Sequence, residues 1–325
     1  MAIDFDLIYM DETKRDQGQL RDFSFDLAYG SDENDFELTV NANNHVCRES
    51  FMVYIEGTEY GGRIDKIRSV TANNQIVYIG RTWHGILEGK VLEPDVGADY
   101  LEVSGDANEI IGQMIQRTEL GGMFTASREL SGISISGYKF DRYTKMYTGL
   151  KKMLKKYGAK LIVTFKDGLV ELSAAPIVDY SQDDEFDSDQ VEMVIEKAYR
   201  TVNHMICLGA GELKDRDVIH LYIQRDGSVG DTIFYTGLDE ITEIFDYPNA
   251  ESLEELKKGG TDALIEAAGD GELKMDLDAT QSYDIGDIVG GKDITTGITV
   301  KKAIIKKIVN VKAEKITIQH EIKEE

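Results

Sequence analysis

IDKIRSVTA, residues 64–72, and IKKIVNVKA, residues 305–313, carry Ile, Lys, Ile, Val and Ala at identical spacing. Each stretch has the alternation of an amphipathic strand, and each runs into a further β-rich segment, NNQIVYI or EKITI. Two such strands can resemble each other through composition alone. The alternative is a β-barrel that occurs twice in the chain, and both interpretations stay open at this point.

Further strand patterns lie next to each copy. FELTV, FMVYIEG and QIVYIGRTW surround the first copy, and KMDLDA, DIGDIVGG and KITIQHEI surround the second. Three more strands are predicted at 191–199, 201–209 and 217–225. The sequence therefore predicts a mainly β protein with α/β parts, which is an α+β fold.

A helical region separates the two β-rich regions. Asp106 and Glu109 have capping-box spacing at the start of one predicted helix, and a second helix covers about 143–157. A hairpin follows, in which Asp167 and Gly168 suit a tight primed turn.

Residues 249–268 predict two more helices. Gly259 and Gly260 divide this stretch, and Asn249 and Thr261 are suitable N-caps for the two halves. The pattern therefore predicts two short helices with a break between them.

These patterns suggest a division into domains. We expect a first barrel over 1–98, an α/β middle domain over 99–188, and a second barrel in two parts, 189–225 and 273–325, with an inserted mixed segment over 226–272.

The composition limits the classes of partner. With 36 Lys plus Arg against 60 Asp plus Glu, the formal charge is −24, so we expect no specific nucleic-acid binding and no attraction to anionic lipid. Cys47 and Cys207 lie in apolar, strand-like surroundings, which favours buried thiols in a reducing compartment. No basic leader opens the sequence and no apolar run approaches about 18 residues, so neither a secretion signal nor a membrane anchor is expected.

Two glycine-containing stretches match phosphate loops only in part. Gly209-Ala-Gly211 follows a strand pattern, but Lys214 stands where a dinucleotide loop has its third glycine. Residues 286–292 keep the G-x-x-x-x-G-K spacing, but Asp293 replaces the Ser or Thr that holds magnesium. We therefore predict no cofactor, and a bend with a charged edge at 209–216.

Catalytic and metal-binding patterns are also incomplete. The acidic stretch 179–192 would need Gly at 188 and Glu at 194 to form an EF-hand loop, and it has Ser188 and Val194. The five histidines lack metal-ligand spacing, and no nucleophile elbow occurs. Glu212 and Asp215 have no context that marks them as catalytic, although paired acids for glycoside hydrolysis stay open. We therefore predict no catalytic residue and no metal ligand.

Five longer stretches together resemble a known family: GRTWHGILEGKVLEP (80–94), YLEVSGDANEII (100–111), MYTGLKKMLKKYGAKLIV (146–163), VNHMICLGAGELKDRDVIHLY (202–222) and IFDYPNAESLEEL (244–256). They are similar to tail hub proteins of the PBSX-prophage and siphovirus type, which are distantly related to the trimeric baseplate hubs of contractile phage tails. The resemblance covers nearly the whole chain, and none of its motifs is an active-site motif.

The resemblance implies a structural role. Each protomer would contain two barrels of the tail-tube type, and a homotrimer would form a ring of six barrels between a hexameric tube and a trimeric spike or tip. Three chains would carry a formal charge of −72, three times −24, around a channel that DNA could pass without sticking. The implied interface or lumen candidates are Gly209, Gly211, Glu212, Asp215 and Arg216.

The implied partners are the tail tube protein, the tape measure protein, the spike or tip and other baseplate proteins. The implied location is the virion or a tail-like particle assembled in the bacterial cytoplasm. Two alternatives remain, a cell-wall polysaccharide hydrolase that uses two carboxylates and a receptor-binding tip protein. We expect no enzyme activity, since no further hydrolase pattern follows the second barrel pattern.

Overall fold

The computed structural model describes residues 6–181, 185–187, 193–197, 201–250, 252–269, 271–278, 283–312 and 315–322. The first strands are β1 Ile8–Met10, β2 Asp16–Gln19, β3 Phe23–Tyr29, β4 Asp35–Asn41, β5 Met52–Tyr54, β6 Gly61–Val70 and β7 Gln75–Thr82. Then come α1 Trp83–Glu88, β8 Val91–Leu92, β9 Leu101–Asp106, α2 Ala107–Arg117, β10 Phe124–Ala126, β11 Ser134–Phe140, β12 Thr144–Lys145, α3 Met146–Lys156, β13 Ala159–Lys166 and β14 Leu169–Pro176.

The remaining elements are β15 Glu185–Asp187, β16 Met193–Lys197, β17 His204–Leu208, β18 Val218–Ile223, β19 Val229–Gly230, β20 Thr242–Asp246, α4 Leu253–Ala267, β21 Gly271–Asp278, β22 Ile288–Lys292, β23 Thr299–Lys312 and β24 Lys315–Ile322. The protein is thus mainly β with α/β parts, as predicted.

The main sheet contains the same strand order twice. Of its 13 strands, one group runs β3-β4-β7-β6-β5 and the other runs β16-β21-β24-β23-β22. In each group the strands succeed one another along the chain in the same spatial order. We call the group of β1 to β7 the first sheet unit, and the group of β15, β16 and β21 to β24 the second sheet unit. The repeat seen in the sequence therefore corresponds to a repeat in topology.

The two repeat strands also have matching hairpin registers. Val70 lies opposite Gln75 in the β6–β7 pair, and Val311 lies opposite Ile316 in the β23–β24 pair. Each pair contains one register shift, and both shifts fall close to the start of the repeat, near Ile64 and Ile304. Chance similarity of composition does not explain a shared register, so the structure favours duplication.

The two sheet units are joined edge to edge. Strand β23 of the second unit pairs antiparallel with β3 of the first, with Lys307 opposite Tyr29 and Lys312 opposite Ser24. Val309 and Val311 of β23 lie in the same hydrophobic cluster as Phe25 of β3. The second unit therefore helps to cover the core of the first.

The structure does not show the two barrels that the sequence predicts. Among the strands that the structure describes, the hydrogen-bonded pairs run as one open path from β16 to β2, with a branch through β22 to β15.

The middle region packs two helices on a three-stranded sheet. The sheet has the order β10-β14-β13, and α2 and α3 contact β14 and β13. The side chain of Asp106 caps α2 by accepting a hydrogen bond from the Asn108 amide at 2.9 Å, at the predicted helix start. Asp167 and Gly168 have φ values of 52° and 77°, the positive angles that a primed turn requires.

A separate four-stranded sheet corrects one assignment. The predicted second barrel includes 201–209 and 217–225, but β17 and β18 pair with β19 and β20 in the order β19-β18-β17-β20. Helix α4 packs on β17 and β18, and Leu256 and Leu264 of the helix share a core with Met205. Residues 201–269 therefore form one small α/β unit between β16 and β21, and the strand pairing crosses the predicted boundary at 225.

Helix α4 corrects a second prediction. It is continuous across Gly259 and Gly260 and has Ser252 as its N-cap, so neither predicted cap is used. A Cβ atom on Gly260 would lie 2.2 Å from the Cys207 Sγ atom. The glycine therefore allows the helix to approach the sheet closely, and it does not end the helix.

Trp83 corrects a third prediction. It begins α1, although the alternation at 75–83 assigns it to a strand. Thr82 caps α1 through a hydrogen bond that its Oγ1 atom accepts from the Gly85 amide at 3.2 Å. Trp83 is fully buried and stacks on Phe165 of the middle region, with ring centroids 5.6 Å apart.

Candidate assembly surfaces

The predicted interface residues 209–216 form a closed bend between β17 and β18. The Gly209 amide donates to the Asp217 carbonyl, and the Asp217 amide donates to the Ala210 carbonyl, both at 2.8 Å. Gly211 has a φ of 95°, and a Cβ atom there would lie 2.5 Å from the Asp215 carbonyl oxygen. Gly211 thus serves the backbone of the bend, whereas a Cβ atom on Gly209 would lie 2.7 Å from the Leu256 Cδ2 atom of α4.

The charged residues of this bend have different roles. The Arg216 guanidinium donates to the Gly209 and Leu208 carbonyls, at 2.9 and 3.3 Å, and pairs with Asp246 at the end of β20. Glu212 and Asp215 are exposed on the outside of the bend. The structure therefore brings the five predicted residues together on one short connection, with the arginine holding it to β20.

Neither phosphate-loop pattern has the helix that such a loop needs. The bend at 209–216 leads into strand β18, and residues 288–292 are strand β22. In the part of the chain that the structure describes, no group of three or more His, Cys, Asp or Glu could hold a metal ion. Most of the acidic stretch 179–192 lies outside the described residues. None of the described helices is both long and apolar enough to cross a bilayer.

A cluster of charges, largely buried except at Asp284, lies where the two sheet units meet the middle region. Lys307 of β23 is 1% exposed, and its Nζ atom lies 2.6 Å from the Glu59 Oε1 atom and 3.9 Å from the Asp284 Oδ1 atom. Lys160 of β13 binds Asp284 at 2.8 Å and Asp287 at 2.6 Å. We call these five residues the junction ion cluster.

The protonation of the junction ion cluster follows from its contacts. Burial alone lowers the pKa of Lys160, but the hydrogen bonds to Asp284 and Asp287 outweigh burial and the pKa is raised. Both carboxylates also accept main-chain or lysine hydrogen bonds, so the charges are compensated. The cluster links three parts of the chain, and removal of Lys160 would leave Asp287, which is 1% exposed, as an unpaired buried charge.

Two histidines next to this cluster are held neutral. Burial, together with the nearby Lys307 ammonium, lowers the pKa of His84 to about 3 and that of His320 to about 3. The His84 ring stacks on Tyr29 with ring centroids 4.3 Å apart. Both histidines are therefore part of the core.

A contact between two other histidines was not evident from spacing. The His204 Nε2 atom lies 2.8 Å from the His220 Nδ1 atom, and the His204 Nδ1 atom lies 2.8 Å from the Glu240 Oε1 atom. The two histidines come from the paired strands β17 and β18. Their alternation with apolar residues is the only sequence signal that could have placed them on one face.

Two of the open strand edges in the main sheet, those of β6 and β16, expose apolar residues. The Ile64 amide of β6 donates to the Phe51 carbonyl at 2.8 Å, and beyond it the edge of β6 away from β7 has no main-chain partner among the described residues, over 65–70. Strand β16 pairs only with β21 among the described strands. Ile67 on the first edge is 39% exposed, and Val194 on the second is 67% exposed. Open edges with exposed apolar residues are suited to pairing with another strand.

Several solved structures share the fold of this chain. No protein-family model matches the chain, and no curated protein matches it. A tail protein from Neisseria meningitidis MC58 superposes with a TM-score of 0.57 at 11% identity, covering 99% of this chain and 97% of that one.

Two further solved structures superpose over nearly their full lengths. The 43 kDa tail protein of prophage MuSo2 from Shewanella oneidensis has a TM-score of 0.59 at 10% identity, covering 98% of both chains. Prophage tail protein gp18 from Listeria monocytogenes EGD-e has a TM-score of 0.51 at 14% identity, covering 97% of this chain and 94% of that one. The chain therefore has the fold of phage-type tail proteins, which confirms the resemblance at the level of the fold.

Proposed function

We propose that this protein is a structural hub of a phage tail, a prophage or a tail-like particle, of the PBSX-prophage and siphovirus type. The duplicated strand order of the main sheet carries this proposal. Three chains with two equivalent units each place six similar units around an axis, which can meet a hexameric tube on one side and a trimeric spike or tip on the other.

The two sheet units become the tube-like barrels of this ring. Their strands form an open path within one chain. We propose that each barrel, like the ring, closes only when the copies assemble. The domain boundaries at 98, 188 and 272 remain proposals, and the small unit of 201–269 is taken as one body in place of a boundary at 225.

The acidic character gives the channel its function. A ring of three chains carries a formal charge of −72, three times −24, and an acidic lumen repels the phosphate backbone of passing DNA. The protein thereby guides a genome without binding it specifically, and its role is structural rather than enzymatic.

The partners in a tail particle follow from this position. They are the tube protein, the tape measure protein and the spike or other baseplate proteins, and assembly takes place in the bacterial cytoplasm. The bend containing Gly209, Gly211, Glu212, Asp215 and Arg216 is the proposed contact or lumen element.

The mass of the purified full chain in solution tests the ring. We expect about three times 36.4 kDa by light scattering across a concentration series, and a threefold ring with a central channel in negative-stain images. A strict monomer at every concentration, or turnover of cell-wall polysaccharide by the pure protein, would contradict the proposal.

A further inference from the structure

The junction between the two sheet units shows how equivalent edges meet within one chain. Strand β23 pairs with β22 over 299–303 and with β3 over 307–312, so its two halves have different neighbours on the same edge. Strand β6 occupies the equivalent place in the first unit. It pairs with β5 over 61–63, and its second half has no partner on that edge among the described residues.

The partner that β6 lacks is the equivalent of β3. In the first unit β3 comes just before β4 in the strand order and pairs with it. In the second unit β16 comes just before β21 and pairs with it. Strand β16 is therefore the equivalent of β3, and its outer edge is open among the described strands. Within one chain the described strands β16 and β6 lie at different places on an open path and do not pair, so we assign the strand that reaches β6 to a second copy.

The registers of the two units can be aligned strand by strand. Arg68 lies opposite Val77, and Val309 lies opposite Ile318, and the sequence repeat already makes Arg68 equivalent to Val309. Val77 is therefore equivalent to Ile318. One strand further, Thr39 lies opposite Val77.

The second unit has the same arrangement at its next strand. Leu277 lies opposite Ile318, so Leu277 is equivalent to Thr39, and Met275 is equivalent to Glu37 two residues earlier. This fixes the position of β21 relative to β4.

The last alignment relates β3 to β16, the strand with the open edge. Glu37 lies opposite Asp26 of β3, and Met275 lies opposite Met193 of β16. Asp26 and Met193 are therefore equivalent, and three residues later Tyr29 is equivalent to Glu196.

We propose that the open edge of β6 pairs antiparallel with β16 of a second copy, in the register that the β23–β3 junction defines. Since Lys307 lies opposite Tyr29 within the chain, Lys66 lies opposite Glu196 of the next copy. The adjacent pairs place Ile67 opposite Ile195 and Arg68 opposite Val194. This interface rests on the proposed ring and specifies which strands close it.

The side chains of the two edges are complementary in this register. Lys66 and Glu196 are both exposed and bear opposite charges, and opposite charges on facing strands stabilise the pair. Glu196 also lies opposite Glu272 of β21 in its own chain, so a lysine on its other side relieves a like-charge neighbour. The exposed apolar residues Ile67 and Val194 would become covered at the same interface.

Cysteine cross-linking of the full chain tests both the pairing and its register. Ile67→Cys combined with Ile195→Cys places two thiols directly opposite each other across copies, where the Cβ atoms of facing residues are within disulfide reach. Mild oxidation should convert most of the protein into covalent trimers on a non-reducing gel. The two native cysteines are buried, and burial raises the pKa of Cys47 to about 12, so they contribute little background.

The matched control is Ile67→Cys combined with Val194→Cys. A one-residue slip moves a side chain to the other face of the sheet, so this pair should cross-link at least tenfold less. Equal cross-linking of both pairs would overturn the register. A charge pair gives a second test, since Lys66→Glu should weaken assembly roughly two- to tenfold and Glu196→Lys in the same chain should restore it.

The outcomes separate this interface from the proposed function. A trimer by light scattering without the Ile67–Ile195 cross-link would overturn the strand pairing and leave the hub proposal standing. A ladder of cross-linked species longer than three would support the pairing and contradict a closed trimeric ring. A monomer that does not cross-link at any concentration would overturn both.

Discussion

Lys307 is a buried cation of the junction between the two sheet units and pairs there with Glu59. Replacing it by Met keeps the volume but leaves Glu59 without its 2.6 Å partner in a largely buried site. We expect the free energy of unfolding to fall by about 3 kcal/mol, since removal of one partner leaves an uncompensated charge. Urea unfolding followed by tryptophan fluorescence measures this, because Trp83 is buried in the adjacent core.

Lys257 provides the matched control for that substitution. Its ion pair with Asp231 at 2.9 Å lies on the surface, with both side chains more than half exposed, so Lys257→Met should cost less than about 1 kcal/mol. Equal losses for the two variants would show that the junction ion cluster has no special role.

His320 should make stability depend on pH. Burial lowers its pKa to about 3, and an unfolded histidine has a pKa near 6.5, so the unfolded state binds more protons between these values. Stability is therefore complete above pH 6.5 and is lost as the pH falls toward 3, with a slope of up to about 1.4 kcal/mol per pH unit from this residue.

The variant His320→Gln isolates this contribution. Glutamine can still accept the hydrogen bond that the Tyr283 amide donates to the His320 Nε2 atom at 3.4 Å, but it does not titrate. Urea midpoints between pH 5 and 7 should change less with pH in the variant than in the wild type. Parallel pH profiles for the two proteins would refute the assignment.

At the scale of elements, helix α4 depends on a glycine contact. Gly260→Ala would bring a methyl group 2.2 Å from the Cys207 sulfur, so we expect a loss of about 1–3 kcal/mol although alanine favours helices. In α2, a Cβ atom on Gly112 meets only the Ala126 side chain at 3.5 Å, and Gly112→Ala should stabilise the protein by up to about 1 kcal/mol. Thermal unfolding of both variants gives the comparison, and a stabilised Gly260→Ala protein would contradict this role for the glycine.

These elements show which parts of the fold were predictable from the sequence. Alternation gave the strands around Ile64 and Ile305, and local capping and turn chemistry gave the start of α2 and the turn at Asp167, because neighbours in sequence determine them. The prediction that Gly260 breaks the helix was wrong, because the glycine is required by a close contact with Cys207, which is far away in sequence. The partners of β17 and β18 were missed for the same reason, since alternation predicts a strand and leaves its neighbours open.

The candidate interface was predictable only in part. The bend at 209–216 could be identified from its glycines and charges, but the open edges of β6 and β16 could not, because an open edge is defined by absent pairing. Only the sheet order of the described strands reveals that the second half of β6 lacks the neighbour that β23 has.

At the scale of the whole molecule, net charge should govern how copies associate. Each chain carries a formal charge of −24, so copies repel one another at low ionic strength. Raising NaCl from about 0.02 to 0.2 M shortens the screening length from about 20 Å to below 8 Å and should strengthen trimer formation. Sedimentation velocity at both salt concentrations measures the shift, with sucrose at equal osmolality as the control. Dissociation of the trimer by salt would show that attractive ion pairs dominate its interfaces.

The junction between β3 and β23 also has a consequence for the order of events during synthesis. Strand β3 is made early, but the residues opposite it, 307–312, leave the ribosome only after the middle region and the small α/β unit have been translated. At typical rates of about 5–20 residues per second, the nascent first unit waits on the order of ten seconds or more with this edge unpaired. A nascent chain on a neighbouring ribosome could then supply its own strand to that edge, so the spacing of ribosomes along the message becomes a condition for correct folding.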